Sequence, residues 1–202
     1  MLKINNLSKS FRHTQVLKHL TCEIKEGDLI YIHGINGSGK STLFKMICDI
    51  LKPDEGEIIL SQDAHIGALI ENPGFLENET LAYNLHFLAS LKHNYDKEAI
   101  VKLCDQFQLD FNNKTQLKNY SLGMRQKAGI IQAFMENQNF ILLDEPTRGL
   151  DKESVKVFCD IINQFHDEGK TIIIAAHDYL KDIHYTKIYQ LIHGELIEDE
   201  DF

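Results

Sequence analysis

The stretch Gly34-Ile-Asn-Gly37-Ser-Gly39-Lys40-Ser41-Thr42 constrains this chain most, because it fits the spacing G-x-x-x-x-G-K-[ST] and is flanked by segments of opposite character. Ahead of it, Asp28-Leu-Ile-Tyr-Ile-His33 is apolar enough to predict a buried strand; behind it, residues 43–50 predict a helix. Strand, glycine loop and helix in that order give a nest of inward-pointing N–H groups at a helix N-terminus, which suits a phosphate. Lys40 can reach the β- and γ-phosphates of a nucleotide as a point charge. The Ser41 hydroxyl can complete the coordination of a Mg²⁺ ion on the same phosphates. Phosphate binding by Gly34, Asn36, Gly37, Ser38, Gly39, Lys40, Ser41 and Thr42 is therefore the first expectation. The plainer alternative, a glycine-rich turn that matches by accident, loses ground as partners appear further along.

Composition narrows the setting. With 202 residues, 43% of them hydrophobic and 25% charged, the chain can build one domain around a sizeable core. Its longest apolar runs, such as Thr171-Ile-Ile-Ile-Ala-Ala176, fall far short of the roughly 20 residues of a membrane-spanning helix. The start, Met1-Leu-Lys-Ile-Asn-Asn6, lacks a signal-peptide core, so a cytoplasmic protein is expected. Cys22, Cys48, Cys104 and Cys159 are scattered without C-x-x-C spacing, which predicts reduced thiols and neither a zinc site nor a disulfide framework. A formal net charge of −9 argues against nucleic acid as a partner, since such binding is largely phosphate neutralisation by clustered Lys and Arg.

In chain order, residues 2–7 and 15–24 alternate apolar and polar side chains and predict a small antiparallel sheet. Phe11 falls in the connection between these two strands, where it can stack on an adenine ring or pack against its own sheet. Residues 57–60 and 65–70 predict further strands. Between Leu81 and Met135 the period becomes helical: Leu81, Leu85, Leu88 and Leu91, then Ile100, Leu103, Cys104 and Phe107, then Met124, Ala128, Ile131 and Met135. Residues 139–143 return to a continuous apolar run ending in Asp144-Glu145-Pro146, so two carboxylates emerge at the carboxyl end of a buried strand, where α/β folds place ligands. Asp151 is placed to cap a helix over 154–165, residues 170–175 predict the next strand, and His177 follows it. Residues 186–192 and 195–197 predict a closing hairpin. The fold class expected is α/β: a P-loop NTPase core with a parallel sheet, an N-terminal antiparallel β-subdomain and a helical subdomain inserted at about 72–136.

P-loop, strand-end Asp-Glu and strand-end His together resemble the ATP-binding subunit of an ATP-binding-cassette (ABC) transporter, over nearly the whole chain as a single ATP-binding domain. The resemblance implies Phe11 on adenine, Ser41 and Asp144 around Mg²⁺, Glu145 as the general base that polarises the attacking water, and His177 as the residue that contacts the γ-phosphate. It implies ATP and Mg²⁺ as cofactors, ATP hydrolysis coupled to transport, and a place on the cytoplasmic face of the membrane beside a separate integral membrane permease subunit. Tyr120-Ser-Leu-Gly-Met-Arg-Gln126 falls where the family carries its signature, usually Leu-Ser-Gly-Gly-Gln. Ser121 and Gly123 match it, and in the family they contact the ATP held by a second copy, so a dimer formed on ATP is implied. Thr147-Arg-Gly-Leu-Asp151 is similar to the loop that lines that interface.

One departure stands out. Where the family usually presents glutamine ahead of the helical insertion, Glu71-Asn-Pro-Gly-Phe75 offers glutamate, which can still ligate Mg²⁺ with one more negative charge. That substitution and the Tyr-Ser-Leu-Gly-Met form resemble ABC subunits of lantibiotic and bacitracin export or immunity; the alternative is a neutral change in an unrelated transporter. Two rival functions remain. A non-transport ABC ATPase acting on DNA or ribosomes usually carries two cassettes or a long coiled-coil insertion, and a small-molecule kinase leaves residues 120–126 and His177 without a task.

Overall fold

The computed structural model describes residues 1–92 and 94–199. Its framework is a mixed sheet of β3 (Leu29–His33), β5 (Ile66–Leu69), β6 (Phe140–Asp144), β7 (Thr171–Ala175), β8 (Lys187–Ile192) and β9 (Glu195–Glu198), in the order β5-β6-β7-β3-β8-β9. All neighbours run parallel except the final hairpin of β8 with β9. A smaller antiparallel sheet, ordered β2-β1-β4, is made of β1 (Leu2–Phe11), β2 (Thr14–Ile24) and β4 (Glu55–Leu60).

Because side chains on a strand alternate between faces, the large sheet feeds two cores. Leu29, Tyr31, Ile141, Leu143, Ile172 and Ile174 pack on one side, against α2 (Leu81–Ser90), α3 (Lys97–Gln106), α4 (Leu122–Phe134) and α5 (Lys152–Asp167). Ile30, Ile32, Phe140, Leu142 and Ile173 point the other way, where they meet Leu43 and Phe44 of α1 (Lys40–Ile47) and Ile4, Leu7, Leu17 and Leu20 of the small sheet. Each such Ile or Leu, fully buried, contributes roughly 1.5–3 kcal/mol of transfer free energy. Helices α2, α3 and α4 follow one another between β5 and β6, as the helical period between Leu81 and Met135 leads one to expect.

Two boundaries differ from those read in the sequence. Helix α1 starts at Lys40 rather than at residue 43 because Gly39, at φ 109, turns the chain directly into the helix. Strand β1 runs on to Phe11, so Phe11 ends a strand instead of lying in a connection. The alternation that stops at Leu7 is interrupted by register shifts, with Asn6 at φ 50 and His19 at φ 46, after which pairing resumes to Phe11↔Thr14. Among the described residues, no helix is long and apolar enough to cross a membrane.

Candidate active site

The parallel order brings three strand ends together: β3, β7 and β6 are neighbours, so the loops after His33, Ala175 and Asp144 leave the same edge. The loop after β3 closes tightly. A Cβ on Gly39 would lie 2.9 Å from Leu17 Cδ2 and 3.0 Å from Val16 Cγ1, and its positive φ disfavours any side chain there. Lys40 opens α1 with its side chain only 6% exposed, and its ammonium donates back to the Gly34 carbonyl at 2.7 Å. The same Nζ lies 4.0 Å from Glu145 Oε1.

At the end of β6, Asp144 is 4% exposed. Burial raises its carboxyl pKa above the usual value; hydrogen bonds from the Ser41 hydroxyl and the Glu71 backbone N–H, and the charge of Lys40, pull the other way. Glu145 follows in the left-handed region, at φ 47. Its N–H donates to the Ala175 carbonyl at 2.7 Å, and its Oε2 accepts the His177 N–H at 3.3 Å. Behind them the Tyr31 hydroxyl donates to the carbonyls of Ala176, 3.2 Å, and His177, 3.4 Å. Burial, with Glu145 nearby as a lesser cause, pushes that phenol up to about 12.

Two clefts of about 270 Å³ each share Ser41, Asp144 and Glu145. The first continues over Asn36, Gly37, Gly39, Lys40 and Thr42 to Phe11, a residue 45% exposed at its end. The second holds Glu71, Gln126 and Arg148. Gly34 and Ser38 line a separate cavity beside Leu191 of β8; a Cβ on Gly34 would lie 2.6 Å from the Leu191 carbonyl oxygen.

Four further candidate residues lie outside the P-loop cleft. The carboxylate of Glu71 pairs with Lys45 at 2.5 Å, while its backbone faces Asp144. The His177 ring is 65% exposed, with Nδ1 3.6 Å from Asp178 Oδ1, and only its backbone meets Glu145. Ser121 and Gly123 line neither cleft. Ser121 caps α4, its hydroxyl accepting the Met124 N–H at 3.2 Å, and Gly123 lies so close to the next loop that a Cβ would be 2.6 Å from the Gly149 oxygen.

Tyr31, and Gln126 beyond its place in the 120–126 stretch, were given no role in the sequence, yet Gln126 holds the loop that carries Glu145 and Tyr31 the loop that carries His177. The signal was faint: a hydroxyl inside an apolar strand, and an amide on the buried stripe that Gln126 shares with Ile130 and Ala133. Among the described residues, no three His, Cys, Asp or Glu gather into a metal cluster. A divalent ion here must draw most of its ligands from substrate oxygens and water, as Mg²⁺ on a nucleotide does.

The sheet order, the glycine loop and the strand-end acids define a P-loop nucleotide-binding α/β fold. The family model described as ABC transporter matches residues 17–148, and the chain belongs to that family. It is 34% identical to YdbJ, an uncharacterized ABC transporter ATP-binding protein of Bacillus subtilis, over 88% of this chain and 61% of that protein. It is 30% identical to SrtF, a lantibiotic transport ATP-binding protein of Streptococcus pyogenes, over 100% of this chain and 91% of that one. With BcrA, a bacitracin transport ATP-binding protein of Enterococcus faecalis, identity is 29% over 98% of this chain and 68% of that one. The fold superposes on a dimeric bacterial ABC transporter cassette with a TM-score of 0.86 and 24% identity, covering 97% of this chain and 96% of the other.

Proposed function

We propose that this chain binds Mg-ATP and hydrolyses it to ADP and phosphate, as the ATP-binding subunit that powers a separate membrane-spanning permease from the cytoplasmic face of the membrane. The observation that carries the reading is the convergence of Lys40, Ser41, Asp144 and Glu145 on one cleft that ends at an exposed aromatic ring. Phe11 offers a face for adenine, the loop amides and Lys40 take the phosphates, and Glu145 is the base. Ser41 and Asp144, already in hydrogen-bond contact, would hold a Mg²⁺ ion, with Glu71 beside them, and the ion would supply positive charge to the phosphates. Glu145 accepts a proton from the attacking water, and the His177 amide keeps its carboxylate turned into the cleft. Lys40 meets the charge that gathers on the γ-phosphate oxygens, so its contribution grows toward the transition state.

Ser121 and Gly123 lie outside their own chain's cleft, which supports a second copy, head to tail, supplying them to the γ-phosphate. The names of SrtF and BcrA, together with Glu71 and the Tyr-Ser-Leu-Gly-Met signature, support a peptide antibiotic as cargo. The test is phosphate release by the purified chain in Mg-ATP, alone and with a candidate permease in vesicles. Magnesium-dependent release that the permease stimulates is expected; stimulation by nucleic acid in place of the permease would overturn the transport role.

A further inference from the structure

Glu145 does its work from an unfavourable backbone conformation. Non-glycine residues rarely sit at positive φ, and when they do the surroundings must hold them there. On the amide side, the Glu145 N–H is fixed by the Ala175 carbonyl at the end of β7. On the carbonyl side stands Gln126, from the second turn of α4. Its side-chain amide donates to the Glu145 oxygen at 3.0 Å and to the Pro146 oxygen at 2.9 Å, and the residue is 4% exposed. The Arg148 N–H adds a second donor to the Glu145 carbonyl, at 3.2 Å. Both peptide planes flanking the Glu145 Cα are therefore held, one by the sheet and one by a buried side chain.

We propose that Gln126 is a positioning residue for hydrolysis: by pinning the carbonyls of Glu145 and Pro146 it sets the direction of the Glu145 carboxylate. The inference rests on the ATPase reading above. Loss of the amide leaves the plane after Glu145 held by the Arg148 N–H alone and lets the strained backbone at Glu145 relax, which turns the carboxylate away from the water it must polarise. Affinity for a nucleotide analogue should change little, because the Gln126 amide is spent on the Glu145 and Pro146 carbonyls and the residue does not line the cleft of Phe11 and the P-loop.

The competing role is a plain staple between α4 and the loop, which would affect folding and leave chemistry alone. Gln126→Glu keeps the shape and removes the donor; Gln126→Met keeps the length without any donor. Single-turnover rates and ATP affinity, the latter measured with a non-hydrolysable analogue, separate the two roles. We expect the rate to fall between about 10- and 100-fold in both variants, as small misplacement of a catalytic group does, with analogue affinity within about threefold of wild type. Wild-type rates in both variants, or parallel losses of rate, affinity and melting temperature, overturn the proposal. Should both variants fail to fold, hydrogen exchange on the wild-type chain decides. Glu145 and Arg148 amides exchanging as slowly as those of β6 support a pinned loop, and fast exchange contradicts it. A wild-type chain without Mg-ATP turnover removes the ATPase reading and this inference together; wild-type turnover that Gln126 variants share removes the inference alone.

Discussion

Lys40 Nζ stands 4.0 Å from Glu145 Oε1, so the buried ammonium expected on the phosphates and the half-exposed carboxylate expected on the water share one corner. A cation held so far from solvent acts strongly on whatever anion enters. Lys40→Ala is expected to weaken Mg-ATP binding by at least about tenfold, the loss of one charge-assisted contact in a dry site. Titration with a fluorescent nucleotide measures it. Unchanged affinity would exclude Lys40 from phosphate binding.

Gly67 on β5 tests how tightly α4 is laid on the sheet. A Cβ there would come within 1.9 Å of the Ala133 carbonyl oxygen, a backbone atom that cannot step aside. Gly67→Ala should therefore destabilise the fold by about 1–3 kcal/mol, the usual cost of overpacking, in urea unfolding. Gly27→Ala, where nothing lies within 4 Å of the added Cβ, should suffer only from its positive φ.

Asp151 provides a prediction with a pH sign. Its carboxylate accepts the Ser154 N–H at 2.8 Å as the N-cap of α5, and the bonds from Ser154 hold its pKa below the ordinary 3.8. A carboxyl depressed in the folded state contributes stability that is present above the unfolded pKa and lost as pH falls through the folded one. Asp151→Ala should melt a few degrees below wild type near pH 7, and the gap should narrow as pH drops below about 4. A gap that stays constant down to about pH 3 would show that the cap acts without its charge.

Glu71 separates stability from metal use. Its pair with Lys45 is largely exposed, with Glu71 at 58%, and such pairs contribute at most about 1 kcal/mol. Glu71→Gln should keep the melting temperature and raise the Mg²⁺ concentration needed for half-maximal turnover several-fold. An unchanged magnesium dependence would assign the carboxylate to Lys45 alone.

Much of this was legible in the chain because it depends on local chemistry. Gly39-Lys40-Ser41 announces the loop, Asp151 announces a helix start, and continuous apolar runs announce buried parallel strands. Long-range relationships were not legible. The far half of β1 was hidden because the bulges at Asn6 and His19 break the alternation that marks a strand, while the pairing that rescues it comes from β2. Gln126 was hidden for the same reason: its two acceptors lie 19 and 20 residues away, and nothing within α4 foretells them. The direction of a side chain was equally unreadable, as the outward ring of His177 and the Lys45-bound carboxylate of Glu71 show.

The measurement that bears most directly on the central claim is phosphate release and sedimentation of Glu145→Gln in Mg-ATP. The account predicts turnover reduced by at least about a hundredfold, as expected for removing a general base, with ATP retained and the mass doubled in an ATP-bound dimer. Hydrolysis at the wild-type rate, or a monomer at saturating Mg-ATP, would contradict it.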